Sequence, residues 1–238
     1  MKSIQLILNE FTSIFDLETV SNSAFTQARA NLNYTAFIEL NEKAVVDVMY
    51  SDDNIKLYKG MRVMGIDGSK ILLPDTTDIT NEFGQISYSN DHPEVKGSHT
   101  YAMASVMYDV LNHIAVDSIL SKARAYEVDL AIKHLEHSID NDLLLYDRNY
   151  PSYFHLATLF NFNKKFVIRC SAASFKQARE MLKGKGNNSQ IANLEPHHSK
   201  LAQVKDNDLP TKITVRFVRV QLETGEYEVL VTNLLDET

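Results

Sequence analysis

The chain has 238 residues, 44% hydrophobic and 23% charged, with a formal net charge of −7. That is length for one large or two modest domains and the composition of a water-soluble globular protein. A single cysteine, Cys170, excludes an intrachain disulfide and fits a reducing compartment. No apolar run approaches the roughly 20 residues of a membrane span, and MKSIQLILNEF is interrupted at Asn9 and Glu10 too early for a secretory signal. A cytoplasmic protein without membrane contact is expected.

The charge is uneven. Residues 1–147 carry 11 Lys/Arg against 22 Asp/Glu, residues 148–219 carry 13 against 4, and residues 220–238 carry five acids and no base. A basic third suits a phosphate backbone, although a solvated basic face would look the same.

Residues 1–60 read as a helical region. Ser23 is a candidate cap for AFTQARANL, and Phe37, Leu40, Ala44, Val45, Val48 and Met49 recur at three- and four-residue spacing. The polar SDDN at 51–54 is a candidate boundary. From Arg62 the period changes: RVMGI-DGS-KILLP reads as two short strands about an Asp-Gly turn, the first ending in Asp67. Asp before Gly is also a common turn pair for purely conformational reasons. Residues 75–100, with Gly84, Pro93 and Gly97, read as a long polar loop.

Residues 101–110 and 113–120 form a second expected hairpin, joined at Leu111-Asn112. Residues 123–137 read as an amphipathic helix bearing His134 and His137, both expected to face solvent. The run DLLLYD then reads as a strand buried on both faces that stops at Asp147, with Pro151 opening the next helix. A strand over 165–169 follows, so that strand hairpins precede a β-α-β unit, as in a mixed sheet with helices packed on it. Cys170 reads as a buried small hydrophobe.

Beyond it come a helix near 175–182 and the basic loop KGKGNNSQ, which lacks the phosphate-binding GxxxxGK[ST] pattern. His197-His198 are expected to point apart. ITVRFVRVQL reads as a half-buried strand carrying Arg216 and Arg219, with a bulge or twist near Val218 where the apolar phase switches. Thr224-Gly225 turns it into a partner strand over 227–232.

No GxSxG elbow, dinucleotide fingerprint or Cys/His zinc spacing is present. What remains is a pair of aspartates, each at the end of an apolar strand, where open α/β sheets place their ligands. Two such carboxylates suit Mg²⁺ or Mn²⁺, hard cations that take oxygen ligands and support in-line attack at phosphorus.

Four segments, YKGMRVMGIDGSKILLPDT, YAMASVMYDVLNHIAVDSIL, DLLLYDRNYPSYFHLATLFNFNKKFVIR and EVLVTNLLD, resemble in order the insertion-sequence transposases of the DDE class (the IS-four group), over about residues 20–238. The resemblance implies an RNase H-like mixed α/β sheet flanked by helices: an N-terminal helical region over 1–60, the catalytic core over 61–170, and a β-rich insertion over 171–238. It matches Asp67 and Asp147 to the first two catalytic, metal-binding acids, with Mg²⁺ or Mn²⁺ as cofactor. It implies DNA, both transposon ends and target, as partner, and a homodimer or pairing with a full-length transposase. Arg148, Lys212, Arg216 and Arg219 are the candidate DNA contacts by position and charge. The family's third acid is a glutamate in a Tyr-Arg-Glu-Lys pattern on a later helix. Glu223, Glu226, Glu228 and Glu237 do not lie in such a pattern, and no residue of this chain is assigned that role. The expectation is therefore a catalytically incomplete transposase, or alternatively a remnant that binds DNA or the full-length protein without chemistry.

Overall fold

The computed structural model describes residues 3–51, 54–89 and 96–236. Asp52, Asp53, Pro93 and Glu237, each singled out above, lie outside them. The chain divides into two compact units, Met1–Asp52 and Asp53–Thr238.

The first unit is helical. Helix α1 (Ile4–Phe15) starts at Ser3, whose Oγ accepts from the Leu6 amide, and ends where Asp16 turns left-handed with φ of 50°. Helix α2 (Asn22–Asn31) is capped by Ser21, not by the expected Ser23; the Ser21 Oγ accepts from the Ala24 amide at 3.1 Å. Ser23 sits inside the helix and accepts from Gln27. Helix α3 (Thr35–Leu40) passes through a π-helical segment, Asn41–Val46, into α4 (Asp47–Tyr50). Among this unit's described residues only Leu8 and Thr12 are buried, while Phe37, Ile38, Leu40 and Val48 are each more than half exposed.

The second unit is a nine-stranded mixed sheet flanked by helices, which agrees with the expected fold class at that level. In chain order it comprises β1 (Arg62–Leu72), α5 (Thr77–Phe83), β2 (Gln85–Ser89), β3 (Lys96–Asp109), β4 (Ile114–Lys122) and α6 (Glu127–Lys133), which tightens into a 3₁₀ turn, His134–His137. Then follow β5 (Asp142–Tyr146), α7 (Tyr153–Asn161), β6 (Lys165–Cys170), α8 (Lys176–Leu182), β7 (Ser189–Leu194), a 3₁₀ turn, α9 (Leu201–Asp206), β8 (Ile213–Gln221) and β9 (Tyr227–Thr232). The sheet order is β2-β3-β1-β5-β6-β9-β8-β7, with β4 also on β3. The pairs β1–β5 and β5–β6 are parallel and the others antiparallel. Strands β7, β8 and β9 thus extend the same sheet through β6.

The expected hairpin about Asp67-Gly68 does not form. β1 runs straight through both residues because its antiparallel partner continues alongside, with Asp67 opposite Val106 and Gly68 opposite Ser105. The described residues of the polar stretch 75–100 do not form one long loop, since they contribute α5, β2 and the start of β3. The bulge expected near Val218 is also absent. β8 keeps one register with β9 from Arg216 to Gln221, and Val220 is simply exposed at 43%. Pro151 does not open α7; Ser152 caps it, its Oγ accepting from the His155 amide at 3.2 Å.

The core alternates along the strands as pleating requires: Met64 and Ile66 of β1, Met107 of β3, Leu144 of β5, and Phe166 and Ile168 of β6 are almost wholly enclosed. Leu156 and Leu159 of α7 and Leu130 and Ala131 of α6 are enclosed as well. The start of the parallel pair is pinned by a buried two-point ion pair. Arg62 Nε and Nη2 donate to Asp142 Oδ1 and Oδ2 at 2.7 and 2.8 Å, between residues that are direct register partners.

Candidate active site

Parallel pairing of β1 with β5 proceeds from Arg62 opposite Asp142 to Ile66 opposite Tyr146. The next residue on each strand is an aspartate, so Asp67 and Asp147 arrive abreast. Both stand one residue past a core-facing partner, hence on the same side of the sheet by alternation. Asp67 is not at a strand end as expected; β1 continues to Leu72 beside β3, and only the pairing to β5 stops at Ile66. Its side chain is exposed, and Asp147 is half-buried. Asp147 also shapes its own turn, with Oδ1 accepting from the Asn149 amide at 2.8 Å.

A third carboxylate enters from α6. Glu127, in that helix's first turn, is half-buried and leans over Gly68. A methyl group added at Gly68 would lie 3.0 Å from Glu127 Cγ and 3.3 Å from Cδ. Gly68 therefore serves close approach rather than a turn. Burial, then the like charges of Asp67 and Asp147, push the Glu127 carboxyl above its ordinary range, while Lys70 pulls the other way. Sequence reasoning missed Glu127, because an acid in a helix's first turn is ordinary. The available signal was a glycine placed directly after Asp67 in an apolar strand.

Behind the carboxylates lies a buried aromatic group. The rings of Tyr146, Tyr150 and His155 pack at centroid separations of 4.7 to 6.1 Å. The Tyr146 hydroxyl and His155 Nε2 are buried without hydrogen-bond partners, whereas His155 Nδ1 meets the Tyr150 carbonyl at 3.1 Å. Burial lowers His155 to about 4. Burial also raises the Tyr150 phenol, Glu127, Asp67 and Asp147 add to that rise, and a hydrogen bond with the Gly68 backbone opposes it.

Beside the carboxylates is a cleft of about 440 Å³ whose lining includes Lys70, Met103, Arg124, Tyr126, Glu127 and Asn149. Lys70 and Arg124 bring positive charge there. Among the described residues no three His, Cys, Asp or Glu side chains already stand as a ligand cluster. The oxygen donors near the cleft are carboxylates, the ligand type of a hard divalent cation.

The basic candidates are scattered in role. Arg148, next to Asp147, is exposed, as is Lys212 before β8. Arg216 donates from Nε to Ser189 Oγ at 2.8 Å. Arg219 is spent within its own neighbourhood: its guanidinium makes five hydrogen bonds, to Asn188 Oδ1 twice and to the carbonyls of Met181, Lys185 and Gly186. It also stacks on Tyr227 at 4.9 Å. That geometry closes the 183–188 loop and leaves little capacity for a phosphate.

His134 is not solvent-facing as expected. It is fully buried, with Nδ1 at 2.6 Å from Asp117 Oδ2 and Nε2 at 2.9 Å from Ser105 Oγ. Burial would raise Asp117, but the hydrogen bond and charge of His134 outweigh it and lower the carboxyl. Because Ser105 is wholly enclosed, this Ser-His-Asp line ties β3 and β4 to the 3₁₀ turn and offers no nucleophile to a substrate. His137 does remain half exposed. The rings of His197 and His198 stack at 4.0 Å instead of pointing apart. Cys170 is buried, as expected, and burial pushes its thiol up to about 12.

No helix among the described residues is long and apolar enough to cross a membrane. No family model and no curated protein matches the chain. Among solved structures, a Ciona intestinalis endonuclease V in complex with a 24mer DNA containing an inosine followed by a ribo-adenosine is similar at 14% identity, over 83% of this chain and 82% of that one, with a TM-score of 0.29.

Proposed function

We propose that this chain has an RNase H-like fold and is a DDE-class transposase polypeptide, built for metal-dependent cleavage and joining of DNA strands. The observation that supports this reading is the parallel β1–β5 register, which ends at Ile66 opposite Tyr146 with Asp67 and Asp147 the next residue along each chain segment. Carboxylates so placed would hold Mg²⁺ or Mn²⁺, which supplies charge neutralisation and an activated oxygen nucleophile at a phosphodiester. The chain's own part is positional. Asp67 stays exposed to substrate, the Asn149 amide orients Asp147 through Oδ1, and the rigid core beneath keeps both in place. Exposed Arg148 beside Asp147, and Lys70 and Arg124 in the neighbouring cleft, are cations that would meet the DNA backbone. Lys212 and Arg216, on the strand-rich end of the sheet, would lengthen that track.

The test is nicking of duplex DNA carrying the native flanking ends, with Mn²⁺, by the 238-residue chain and by Asp67→Ala. Cleavage that falls at least about a hundredfold in the variant supports the reading. Equal cleavage by both would refute it. Salt-dependent DNA binding with no cleavage would favour the non-catalytic, DNA-binding alternative.

A further inference from the structure

We propose that helix α1 is a self-association surface, and that its uncovered apolar stripe pairs with the same stripe of a second copy of this chain. The pairing asks nothing of Asp67 or Asp147 and stands apart from the catalytic reading.

The sequence of α1, IQLILNEFTSIF, puts Ile4, Ile7, Leu8, Phe11, Thr12, Ile14 and Phe15 on one arc of the helix at three- and four-residue spacing. One flank of that arc is covered. Leu8 and Thr12 are buried, and Thr12 Oγ1 donates to the Leu8 carbonyl at 3.0 Å. The other flank is bare: Ile4, Ile7, Phe11, Ile14 and Phe15 are 41–74% exposed. The Phe11 and Phe15 rings stand together there, their centroids 4.7 Å apart. The steps from Ile4 to Ile7, Phe11 and Ile14 alternate between three and four residues, the seam by which paired helices pack knobs into holes. The opposite side carries Gln5, Asn9 and Ser13, with Gln5 Nε2 donating to Asn9 Oδ1 at 2.9 Å.

Area fits a second copy. A large apolar side chain carries on the order of 150–200 Å², so these exposed residues present on the order of 500 Å² of apolar surface. One partner of a standard interface contributes about 800 Å², of which about 65% is apolar in homodimers. The stripe by itself therefore supplies the apolar core that one partner needs.

Charge excludes the rival occupants. Glu10 is the only charged residue between Ile4 and Phe15, and residues 3–51 carry 2 Lys/Arg against 6 Asp/Glu. A phosphate backbone would be repelled. Helices that lie on lipid carry Lys and Arg on the polar face, and α1 has neither. An uncharged stripe meets its own copy without like-charge repulsion, and a two-fold axis uses each residue on both sides of the contact. A 12-residue helix is marginal alone and takes its stability from what packs on its apolar face.

The experiment is sedimentation equilibrium of the full 238-residue chain across micromolar concentrations, without DNA. The parent is expected at twice 27.0 kDa. Phe11→Glu is expected to raise the dimer Kd at least about thirtyfold, the effect of losing one anchoring aromatic. Ile14→Ser, at the most exposed position of the stripe, is expected to raise it too, and it carries the test if Phe11→Glu does not fold. Ser13→Glu, on the polar side, is expected to match the parent. A parent that is monomeric throughout, or a dimer that neither stripe variant weakens, would overturn the proposal. A monomeric parent that floats with phosphatidylglycerol-containing vesicles would overturn it in favour of a lipid surface.

Discussion

The two units of this chain use apolar residues in opposite ways. In the sheet unit, a five-residue strand such as β5 buries three residues and the ion pair that anchors it. In the helical unit, helices with clear apolar periodicity leave Phe37, Ile38 and Leu40 at 57–61% exposure. Periodicity shows that a face exists, but it does not show that the face is covered. Strands of the sheet cover one another through pairing, whereas a short helix gains its stability only from what packs against it.

The comparison can be broken most sharply at Asp142. Replacing it with alanine removes the carboxylate that accepts both the Nε and Nη2 bonds of buried Arg62 and is expected to cost ~3–5 kcal/mol in urea unfolding of the sheet unit. A loss under ~1 kcal/mol would mean that strand pairing alone holds the β1–β5 register, since that is the range of exposed pairs.

His155 sharpens the contrast through pH. Its folded value is lowered from 6.5 to about 4, so between those values the unfolded chain takes up a proton that the folded chain refuses. This contribution is therefore fully present above pH 6.5 and is lost as pH falls towards 4. A shift of that size corresponds to about 3 kcal/mol. Urea unfolding of His155→Leu across this window should show a flatter pH dependence than the parent, and an identical slope would contradict the burial of a neutral imidazole.

The smallest effect belongs to the helical unit. Phe37→Ala is expected to change stability by no more than ~0.5 kcal/mol, as at surface positions. A cost approaching the ~3–5 kcal/mol of a core phenylalanine would show that this face is covered in solution.

Much of the sheet was legible in the residues. The β3–β4 hairpin about Leu111-Asn112, the buried run of β5, the helix after it, β6, and the β8–β9 hairpin at Gly225 are all local patterns with matching turn chemistry. That Asp67 and Asp147 each follow an apolar run was legible too; the parallel pairing of those runs was not. Asp67-Gly68 misled because a turn pair and a strand glycine look alike until the partner strand is known. β7 and the 75–100 elements were hidden in polar sequence, where pairing with an established strand, rather than apolar alternation, makes the strand.

The sequence by itself determined the β3–β4 and β8–β9 hairpins, β5, α7 and β6, because period and turn residues act over a few positions. It also determined that an aspartate follows each of the apolar runs 62–66 and 143–146. Only the tertiary structure decided that β1 runs on through Gly68, that Glu127 packs over that glycine, that His134 is buried between Ser105 and Asp117, and that Arg219 is consumed by its own loop. Each of these depends on contacts between residues distant in the chain, and no local spacing encodes which backbone will lie alongside.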